Sequence, residues 1–397
     1  MTRTVELQSV AEINPRVDSG IADDDVVSFL AMQDVSESGT TTAGVDRRFR
    51  EVQRGYTPFR CGDVLFAKIT PCFENGKIAQ AQTNRMYAFG STEFHVVRPI
   101  DGVLDPRYIH HFLRQPQVRS MGELRMTGSA GQRRVPSNFV ATLRVPLPSL
   151  AEQRRVAAIL DSADALRKAR DFALGAVDRL GHAAFRALIG DPVTNPMEWR
   201  TGVRLGDVAD ISSGITKGRR LREGETTSSV PYLSVANIQD KRLDLHEVKR
   251  IEATIGEVER FKLVPDDLLL TEGGDPDKLG RGTVWRGEID GCIHQNHIFR
   301  VRVNDEQVSP MFLSWLLSSS RGKRYFLRSA KQTTGIASIN MSQLKDFPLL
   351  SPPLAVQRRF EGQLKDVARA KELQLAARME LDALFASLQH RAFRGGL

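Results

Sequence analysis

Residues 148–190 read PSLAEQRRVAAILDSADALRKARDFALGAVDRLGHAAFRALIG, and this stretch organises the rest of the chain. It holds no proline after Pro148, and only Gly175 and Gly181 interrupt it before its last residue. Apolar residues recur mostly at steps of three and four, with one gap in which the seam carries a charge at Arg170. The seam consists of Val156, Ile159, Ala163, Leu166, Ala173, Val177, Leu180 and Ala184. This spacing predicts one long helix whose narrow apolar seam faces another helix.

A second stretch of the same kind closes the chain. Residues 351–397 read SPPLAVQRRFEGQLKDVARAKELQLAARMELDALFASLQHRAFRGGL. Its predicted seam consists of Phe360, Leu364, Val367, Leu373, Ala377, Leu381, Leu384 and Leu388. Because both seams are long and narrow, we expect the two helices to pack on each other.

The two helices belong to a repeat that extends over the whole chain. The tripeptide QRR occurs at 153–155 and again at 357–359, an offset of 357 − 153 = 204. Residues 62–66 match residues 266–270 at the same offset, and near the helix ends the offset has grown to 390 − 182 = 208. Twofold repetition of this length predicts two whole domains.

The predicted order is therefore globular unit, long helix, globular unit, long helix, with boundaries at 1–147, 148–190, 191–350 and 351–397. Runs of β-forming residues predict strands at 26–32, 62–69, 77–80, 92–97, 230–238, 267–271 and 292–303. Pro106 opens a predicted helix over about 106–122, and 212–222 is expected to be a loop. The fold class is α/β (mixed α+β): two similar globular domains joined by two long helices that form an antiparallel coiled coil, with pseudo-twofold symmetry.

Composition indicates an ordinary globular protein with a basic surplus. Of 397 residues, 41% are hydrophobic and 26% charged, and 56 Lys and Arg outnumber 48 Asp and Glu, which gives a net charge of +8. A basic surplus suits a polyanionic partner. Three widely spaced cysteines imply no disulfide framework, and we expect a cytoplasmic protein with no membrane partner, since neither a signal peptide nor a spanning run is evident.

Motifs of DNA-modifying enzymes do not appear in the sequence. The P-loop pattern is absent, and the nearest match to the Asn/Asp-Pro-Pro-aromatic stretch of amino-methyltransferases is SPPL at 351–354, which is wrong at both ends. One acid-x-Lys triplet, EVK at 247–249, lacks the upstream Pro-Asp of metal-dependent nucleases. The sequence therefore predicts no catalytic residues and no cofactor.

The cluster CIHQNH at 292–297 is the best candidate for a metal site. On a single strand, Cys292, His294 and Asn296 would share one face while His297 would point to the other. No second Cys/His pair completes four ligands, so we expect no metal and interpret the cluster as a strand with one polar face.

Basic loops in equivalent places of the two repeats are the best candidates for binding. Residues 127–134 and 331–334 both combine small residues with Gln and Arg or Lys, and Lys217, Arg219 and Arg220 add a basic loop to the second unit. Arginine can pair with guanine and glutamine with adenine, while hydroxyl groups and backbone amides can hold phosphates. An ordinary solvated loop is the alternative interpretation of each.

The chain resembles the specificity subunits of type I restriction-modification systems over essentially its full length. The resemblance rests on PLPSLAEQRRVAAIL at 146–160, LLSPPLAVQRRFEGQL at 349–364, GDVLFAKITPCFENGKIA at 62–79, GSTEFHVVRP at 90–99 and TGSAGQRRVP at 127–136. One departure is Val356, where the first repeat has Glu152.

The resemblance implies two target-recognition domains, each reading one half of a bipartite site in double-stranded DNA, and a subunit without an active site. It also implies that the helices set the spacing of the half-sites and dock two methyltransferase subunits, which a motor-nuclease subunit joins for restriction. Candidate DNA-binding residues are Lys68, Asn75, Lys77, Ser129, Gln132, Arg133, Arg134, Lys217, Arg219, Arg220, Arg281, Lys331, Gln332 and Thr333.

Three alternatives stay open at this point. The chain could be the specificity subunit of a type IIB-like restriction-modification complex, which shares the architecture and differs in its enzyme partners. It could be a catalytic single-chain DNA methyltransferase or nuclease, or a coiled-coil scaffold that binds DNA without sequence preference. Methyl transfer by the isolated chain would identify the enzyme.

Overall fold

The computed structural model describes residues 3–129, 131–220, 224–275, 279–333 and 336–397, and of residues 331–333 and 336 it describes the backbone alone. The chain divides into two compact units. The first comprises Met1–Ala173 and Gln374–Leu397, and the second comprises Leu174–Leu373. Each long helix therefore contributes one half to each unit.

The secondary structure of the two units is as follows. Strands up to residue 150 are β1 (Thr4–Glu6), β2 (Ala11–Ile13), β3 (Val26–Leu30), β4 (Val45–Arg48), β5 (Thr57–Arg60), β6 (Val64–Ala67), β7 (Ile78–Gln80), β8 (Tyr87–Gly90), β9 (Phe94–Pro99) and β10 (Arg144–Pro146). Helices up to residue 190 are α1 (Phe49–Val52), α2 (Pro106–Leu113), α3 (Pro116–Arg125), α4 (Ser137–Ala141) and α5 (Leu150–Ile189). Later strands are β11 (Ala209–Ser213), β12 (Thr227–Leu233), β13 (Ile238–Gln239), β14 (Arg242–Leu243), β15 (Lys249–Thr254), β16 (Leu268–Thr271), β17 (Gly273–Gly274), β18 (Gly282–Val284), β19 (Ile293–His294), β20 (Ile298–Val303), β21 (Lys331–Thr333) and β22 (Ile336–Ser338). Later helices are α6 (Leu205–Val208), α7 (Ile255–Phe261), α8 (Pro310–Ser318), α9 (Ser320–Ser329), α10 (Met341–Lys345) and α11 (Leu354–Ala392).

The predicted antiparallel pairing of α5 and α11 is confirmed within each unit. In the first unit Arg167 donates to Asp382 (2.7 Å) and Arg378 to Asp171 (2.5 Å), so partner numbers fall along α11 as they rise along α5. In the second unit the ammonium of Lys371 lies 2.6 Å from Asp178, and the rings of Phe360 and Phe185 pack with centroids 5.4 Å apart, so the partner numbers again run in opposite directions. The contact between the helices is therefore partly ionic, and Arg170, the charge in the predicted seam, donates to Gln374 Oε1 (2.5 Å).

For four residues the predicted place in a buried seam is wrong, because their side chains are exposed. The exposed fractions are 57% for Leu166, 47% for Leu180, 67% for Leu373 and 48% for Leu384. On α11 the next residue, Phe385, packs partly buried against the core. Steps of three and four both fit a helical seam, so spacing alone could not choose between neighbouring apolar positions.

The globular part of the first unit has three layers. Helices pack against one face of a central sheet, and an outer sheet packs against its other face. The central sheet has the order β2-β9-β6-β7, and the outer sheet has the order β4-β3-β8-β5. Strand β6 explains the arrangement: Val64 and Phe66 belong to the core under the helices, and Leu65 and Ala67 to the core between the sheets. Because side chains alternate along a strand, a continuous apolar run indicates a strand that is buried on both faces.

The second unit repeats these layers. Its central sheet has the order β11-β20-β16-β18, and its outer sheet has the order β15-β12-β19. In both outer sheets a central strand pairs antiparallel with one neighbour and parallel with the other (β3 with β4 and β8, β12 with β15 and β19). Leu268 and Leu270 face the helices, and Leu269 faces the outer sheet.

Several element boundaries differ from the predictions. The helix predicted over 106–122 is broken between Leu113 and Pro116, since proline cannot donate the helical hydrogen bond and restricts the residue before it. Strands β4, β5 and β8 were not predicted, because each has only four residues, and β4 and β5 also contain charged side chains. The predicted strand at 292–303 is two strands, β19 and β20, which belong to different sheets.

Among the residues that the structure describes, no helix combines the length and the apolar character that crossing a bilayer would require.

Candidate nucleic-acid interface

The loop at 127–134 is a tight turn whose ends pair with each other. Thr127 N–H donates to Arg134 O (3.0 Å), and Arg134 N–H donates to Thr127 O (2.8 Å). Gly128 and Gly131 have φ values of +121° and +83°, which residues with a side chain rarely adopt. The turn leaves three of the candidate residues exposed, Ser129, Gln132 and Arg133, while Ala130 lies outside the described residues.

The two arginines of this loop differ in their surroundings. Arg134 forms a bidentate ion pair with Glu93, with Nε at 3.0 Å from Oε2 and Nη2 at 2.8 Å from Oε1. Hydrogen bonds from this guanidinium lower the pKa of Glu93, and burial, which raises the pKa, offsets only part of this shift. Arg133 donates to the carbonyl of Glu123 (2.8 Å) and forms no ion pair among the described residues. Arg133 is therefore the arginine whose charge is available to a polyanion.

Lys68 joins this loop, whereas Asn75 and Lys77 do not. Lys68 follows β6, and its carbonyl accepts from Val135 N–H (2.9 Å) directly after the loop. Asn75 donates to Glu37 (2.9 Å) and Lys77 to the carbonyl of Met32 (3.0 Å), so both side chains hold the segment around residues 32–37.

In the second unit, the basic loop after β11 is similarly divided. Arg219 forms a bidentate pair with Glu257, with both nitrogen–oxygen distances at 2.5 Å, and it also donates to the carbonyl of Glu252 (2.8 Å). Lys217 and Arg220 are exposed. Arg219 therefore anchors the loop, and its two basic neighbours are free to contact an anion.

The pair of Arg219 and Glu257 predicts a pH dependence of stability. Hydrogen bonding to Arg219 lowers the pKa of Glu257 from 4.5 to about 2. A lowered pKa stabilises the folded state above about pH 4.5, and this stabilisation is lost as pH falls towards about 2. We expect the difference in free energy of unfolding between the wild-type protein and Glu257→Gln to shrink over that interval, as measured by urea titrations at several pH values. A difference that stays constant from pH 5 to pH 2.5 would contradict the ionic contribution.

The remaining candidates in the second unit lie at strand ends. Arg281 is half-buried beside β18 and donates to Gln239 Oε1 (3.3 Å), and its buried Nε has no hydrogen-bond partner in the described part of the chain. The backbone of Lys331, Gln332 and Thr333 forms β21, which pairs with β22, and their side chains are outside what the structure describes. Residue 334, the last of the predicted loop, also lies outside the described residues.

The two candidate loops have the same backbone register. In the first unit Arg134 bridges both Ile69 and Thr127. In the second unit Ser338 pairs with both Gly273 and Lys331. All three positions differ by 204 (338 − 134, 273 − 69 and 331 − 127), so the loops occupy equivalent places in the two units.

The candidate metal cluster is dispersed. Cys292 is buried, which raises the pKa of its thiol to about 12. His294 is fully buried, which lowers its pKa to about 4, and its Nδ1 contacts the carbonyl of Phe261 (3.1 Å). His297 contacts Glu272 (2.7 Å) instead. Within the described part of the chain, no three His, Cys, Asp or Glu side chains converge as metal ligands would.

Two buried polar contacts that recur in both units were not predicted. Asp63 accepts from Arg98 (Nη2 to Oδ2, 2.9 Å), and the equivalent Asp267 accepts from Arg302 (2.7 Å). Gln153 in the first unit accepts from Asp105 N–H (2.8 Å) and donates to two carbonyls, and Gln357 makes the corresponding contacts in the second unit, starting with Ser309 N–H (2.9 Å). Both glutamines open the repeated QRR, which was the available signal.

Comparisons with known proteins give the following relatives. No family model matches the chain. The type I restriction enzyme EcoAI specificity subunit of Escherichia coli is 39% identical over 153 residues, which cover 38% of this chain and 26% of that protein. The StySPI specificity subunit of Salmonella potsdam is 25% identical over 313 residues, 74% of this chain and 66% of that protein.

A solved structure has the same fold over the full length. It comes from work described as the structural basis of complex assembly and conformational transition of the type I R-M system, with a TM-score of 0.66 at 21% identity, and it covers 100% of this chain and 98% of the other. The chain matches about a quarter of the length of the EcoAI relative. These findings confirm the predicted resemblance to this group of proteins and the predicted fold class.

Proposed function

Because the chain is a relative of the specificity subunits of type I restriction enzymes, we propose that it is the DNA-sequence-specificity subunit of such a complex. Each globular unit reads one half of a bipartite site in double-stranded DNA. The chain itself carries out no catalysis, and the chemistry belongs to methyltransferase and motor-nuclease subunits that assemble with it.

One observation supports this proposal most directly. The two units share the strand order of the central sheet and the loop register, yet their loop sequences differ. In the first unit the loop exposes Ser129, Gln132 and Arg133, which are groups that can contact phosphates and base edges. A shared backbone arrangement with different loop sequences is what we expect of two domains that recognise two different half-sites.

We further propose that the long helices dock two methyltransferase subunits and set the spacing between half-sites. Exposed apolar side chains support the first role, because an exposed Phe172 (75%) or Met379 (73%) on a helix is typical of a surface that a partner covers. The candidate boundaries 1–147, 148–190, 191–350 and 351–397 assign the reading to the globular segments and the assembly to the helices.

A domain exchange tests the two-reader proposal. Residues 1–147 are replaced by the first domain of another specificity subunit, and both proteins are expressed with their methyltransferase subunit in a host without other methylation. We expect the map of methylated adenines to change in one half of the motif and to keep the other half. The exchange retains all of α5 and α11, the helices to which we assign the docking of the methyltransferase subunits.

The control is the isolated chain incubated with S-adenosylmethionine and the same DNA. Methyl transfer without a partner would identify the chain as an enzyme and refute the proposal. Simultaneous change of both half-sites after the exchange would refute the assignment of one reader to each unit.

A further inference from the structure

Two sets of three residues occupy equivalent positions at the base of the candidate loops. The first triplet is Lys68, Glu93 and Arg134, and the second triplet is Glu272, His297 and Ser338. Each member of the second triplet lies 204 residues after its counterpart (272 − 68, 297 − 93 and 338 − 134). In each triplet, one residue directly follows a central strand, one directly precedes its neighbour, and one lies at the end of the loop.

The backbone around the two triplets makes the same contacts. The recurring hydrogen bonds are Lys68 N–H to Glu93 O (2.9 Å) with Glu272 N–H to His297 O (3.0 Å), and Val135 N–H to Lys68 O (2.9 Å) with Ile339 N–H to Glu272 O (3.0 Å). The two frames therefore hold their side chains at equivalent points, although the side chains themselves have little in common.

The first triplet leaves one uncompensated cation. Glu93 and Arg134 neutralise each other in their bidentate pair, and 41% of the Arg134 side chain is exposed. Lys68 gives the triplet a net positive charge: its ammonium forms no hydrogen bond or ion pair among the described residues, although its charge adds to that of Arg134 in lowering the pKa of Glu93. Because a lysine ammonium can only donate hydrogen bonds, this triplet offers donors to a ligand.

The second triplet leaves an acceptor at the same point. Glu272 Oε2 accepts from His297 Nδ1 (2.7 Å), and within the described residues its other carboxylate oxygen has no donor. The exposed fractions of 35% for Glu272 and 57% for His297 show that the pair is accessible to a ligand. The charge at the position of Lys68 is thus reversed in the second unit.

Charged residues that stabilise the fold keep the same sign of charge in both units. The ion pair of Asp63 with Arg98 recurs as that of Asp267 with Arg302 in the same geometry. The position of Lys68 and Glu272 keeps its backbone contacts but reverses its charge, so the fold does not require a particular charge there. On the basis of the proposed function, we infer that Lys68 and Glu272 are specificity-determining residues, each reading one base of its unit's half-site.

The chemistry of the two side chains predicts the class of base. Lysine pairs with the O6 and N7 acceptors of guanine in the major groove, whereas a carboxylate accepts from the exocyclic amino group of cytosine. The half-site read by the first unit therefore contains a guanine facing Lys68. The half-site read by the second unit contains a cytosine whose N4 amino group faces the carboxylate of Glu272.

The test uses the full-length chain assembled with its methyltransferase subunits and libraries of DNA duplexes in which one half-site is randomised at a time. Lys68→Gln is expected to relax one guanine position of the first half-site by about 5- to 150-fold in relative affinity, and Glu272→Gln to relax one cytosine position of the second half-site equally. In each variant the other half-site serves as the internal control of folding and assembly.

A matched control and a transplant sharpen the result. Glu306→Gln makes the same change in an exposed loop beyond the other end of β20, and we expect it to leave both half-sites unaltered. The triple variant Lys68→Glu, Glu93→His and Arg134→Ser carries the second triplet into the first unit. It is expected to shift the guanine position to cytosine.

The outcomes separate this inference from the proposed function. If the wild-type complex shows no bipartite sequence preference, the proposed function fails. If the wild-type complex reads a bipartite site but Lys68→Gln and Glu272→Gln leave every base preference unaltered, the proposed function stands and the assignment of the two triplets is overturned.

Discussion

Replacing Arg98 with leucine is expected to destabilise the first unit by about 3–5 kcal/mol, the usual cost of leaving one partner of a buried ion pair uncompensated. Arg98 and Asp63 have exposed side-chain fractions of only 15% and 5%. Burial raises the pKa of Asp63 in spite of the hydrogen bonds from Arg98, so the carboxylate depends on its partner to remain ionised. Urea unfolding combined with hydrogen exchange would measure the loss and assign it to this unit.

The pH dependence of this variant has a defined sign. A carboxyl group with a raised pKa destabilises the folded state as pH rises through that pKa, and the cost disappears below the unfolded value. The deficit of Arg98→Leu should therefore be largest near neutral pH and should shrink on acidification, as Asp63 takes up a proton. A deficit that grows towards acid pH would contradict this account.

Arg85→Leu is the matched control in the same unit. Arg85 pairs with Asp46 at 2.7 Å, but about half of each side chain is exposed. Exposed pairs contribute little because water solvates both charges, so no measurable change in the unfolding midpoint is expected. Asp63→Leu combined with Arg98→Leu should be less destabilising than Arg98→Leu alone, since it removes the stranded charge.

Leu160→Ala is expected to destabilise the first unit by about 2–5 kcal/mol, the range for truncating a fully buried leucine. Leu160 has no exposed surface and packs in the core under α5 together with Val156 and Tyr108. The cost combines the lost burial of the side chain with the cavity that it leaves. Denaturant titration of the full-length chain, followed by a probe in the first unit, would measure it.

Leu166→Ala makes the same truncation six residues further along the same helix. Because 57% of Leu166 is exposed, the expected change in free energy of unfolding is within about 0.5 kcal/mol. Equal losses in the two variants would restore Leu166 to the seam between the helices. The same reasoning withdraws Leu384 as a buried seam position, since Phe385 takes that place on α11.

The sequence determined the architecture of this protein because periodicity and repetition are properties of the chain itself. Proline-free stretches with apolar steps of three and four predicted both long helices, which the structure places at Leu150–Ile189 and Leu354–Ala392. The offset of 204 predicted two equivalent domains, and it recurs in the register of the candidate loops. The repeated QRR likewise marked Gln153 and Gln357, although their role in joining helix and loop was not evident.

Only the tertiary structure decided which charges are available to a ligand. Arg134 and Arg219 look like their neighbours in the sequence, but each meets a carboxylate that is distant along the chain, Glu93 for the former and Glu257 for the latter. Cys292 and His297 are close in the sequence, and yet Cys292 directly precedes β19 of the outer sheet and His297 directly precedes β20 of the central sheet. Composition and spacing report which groups a segment carries, whereas pairing, burial and pKa depend on groups brought together from remote segments, and for that reason only the folded chain could separate Arg133 from Arg134.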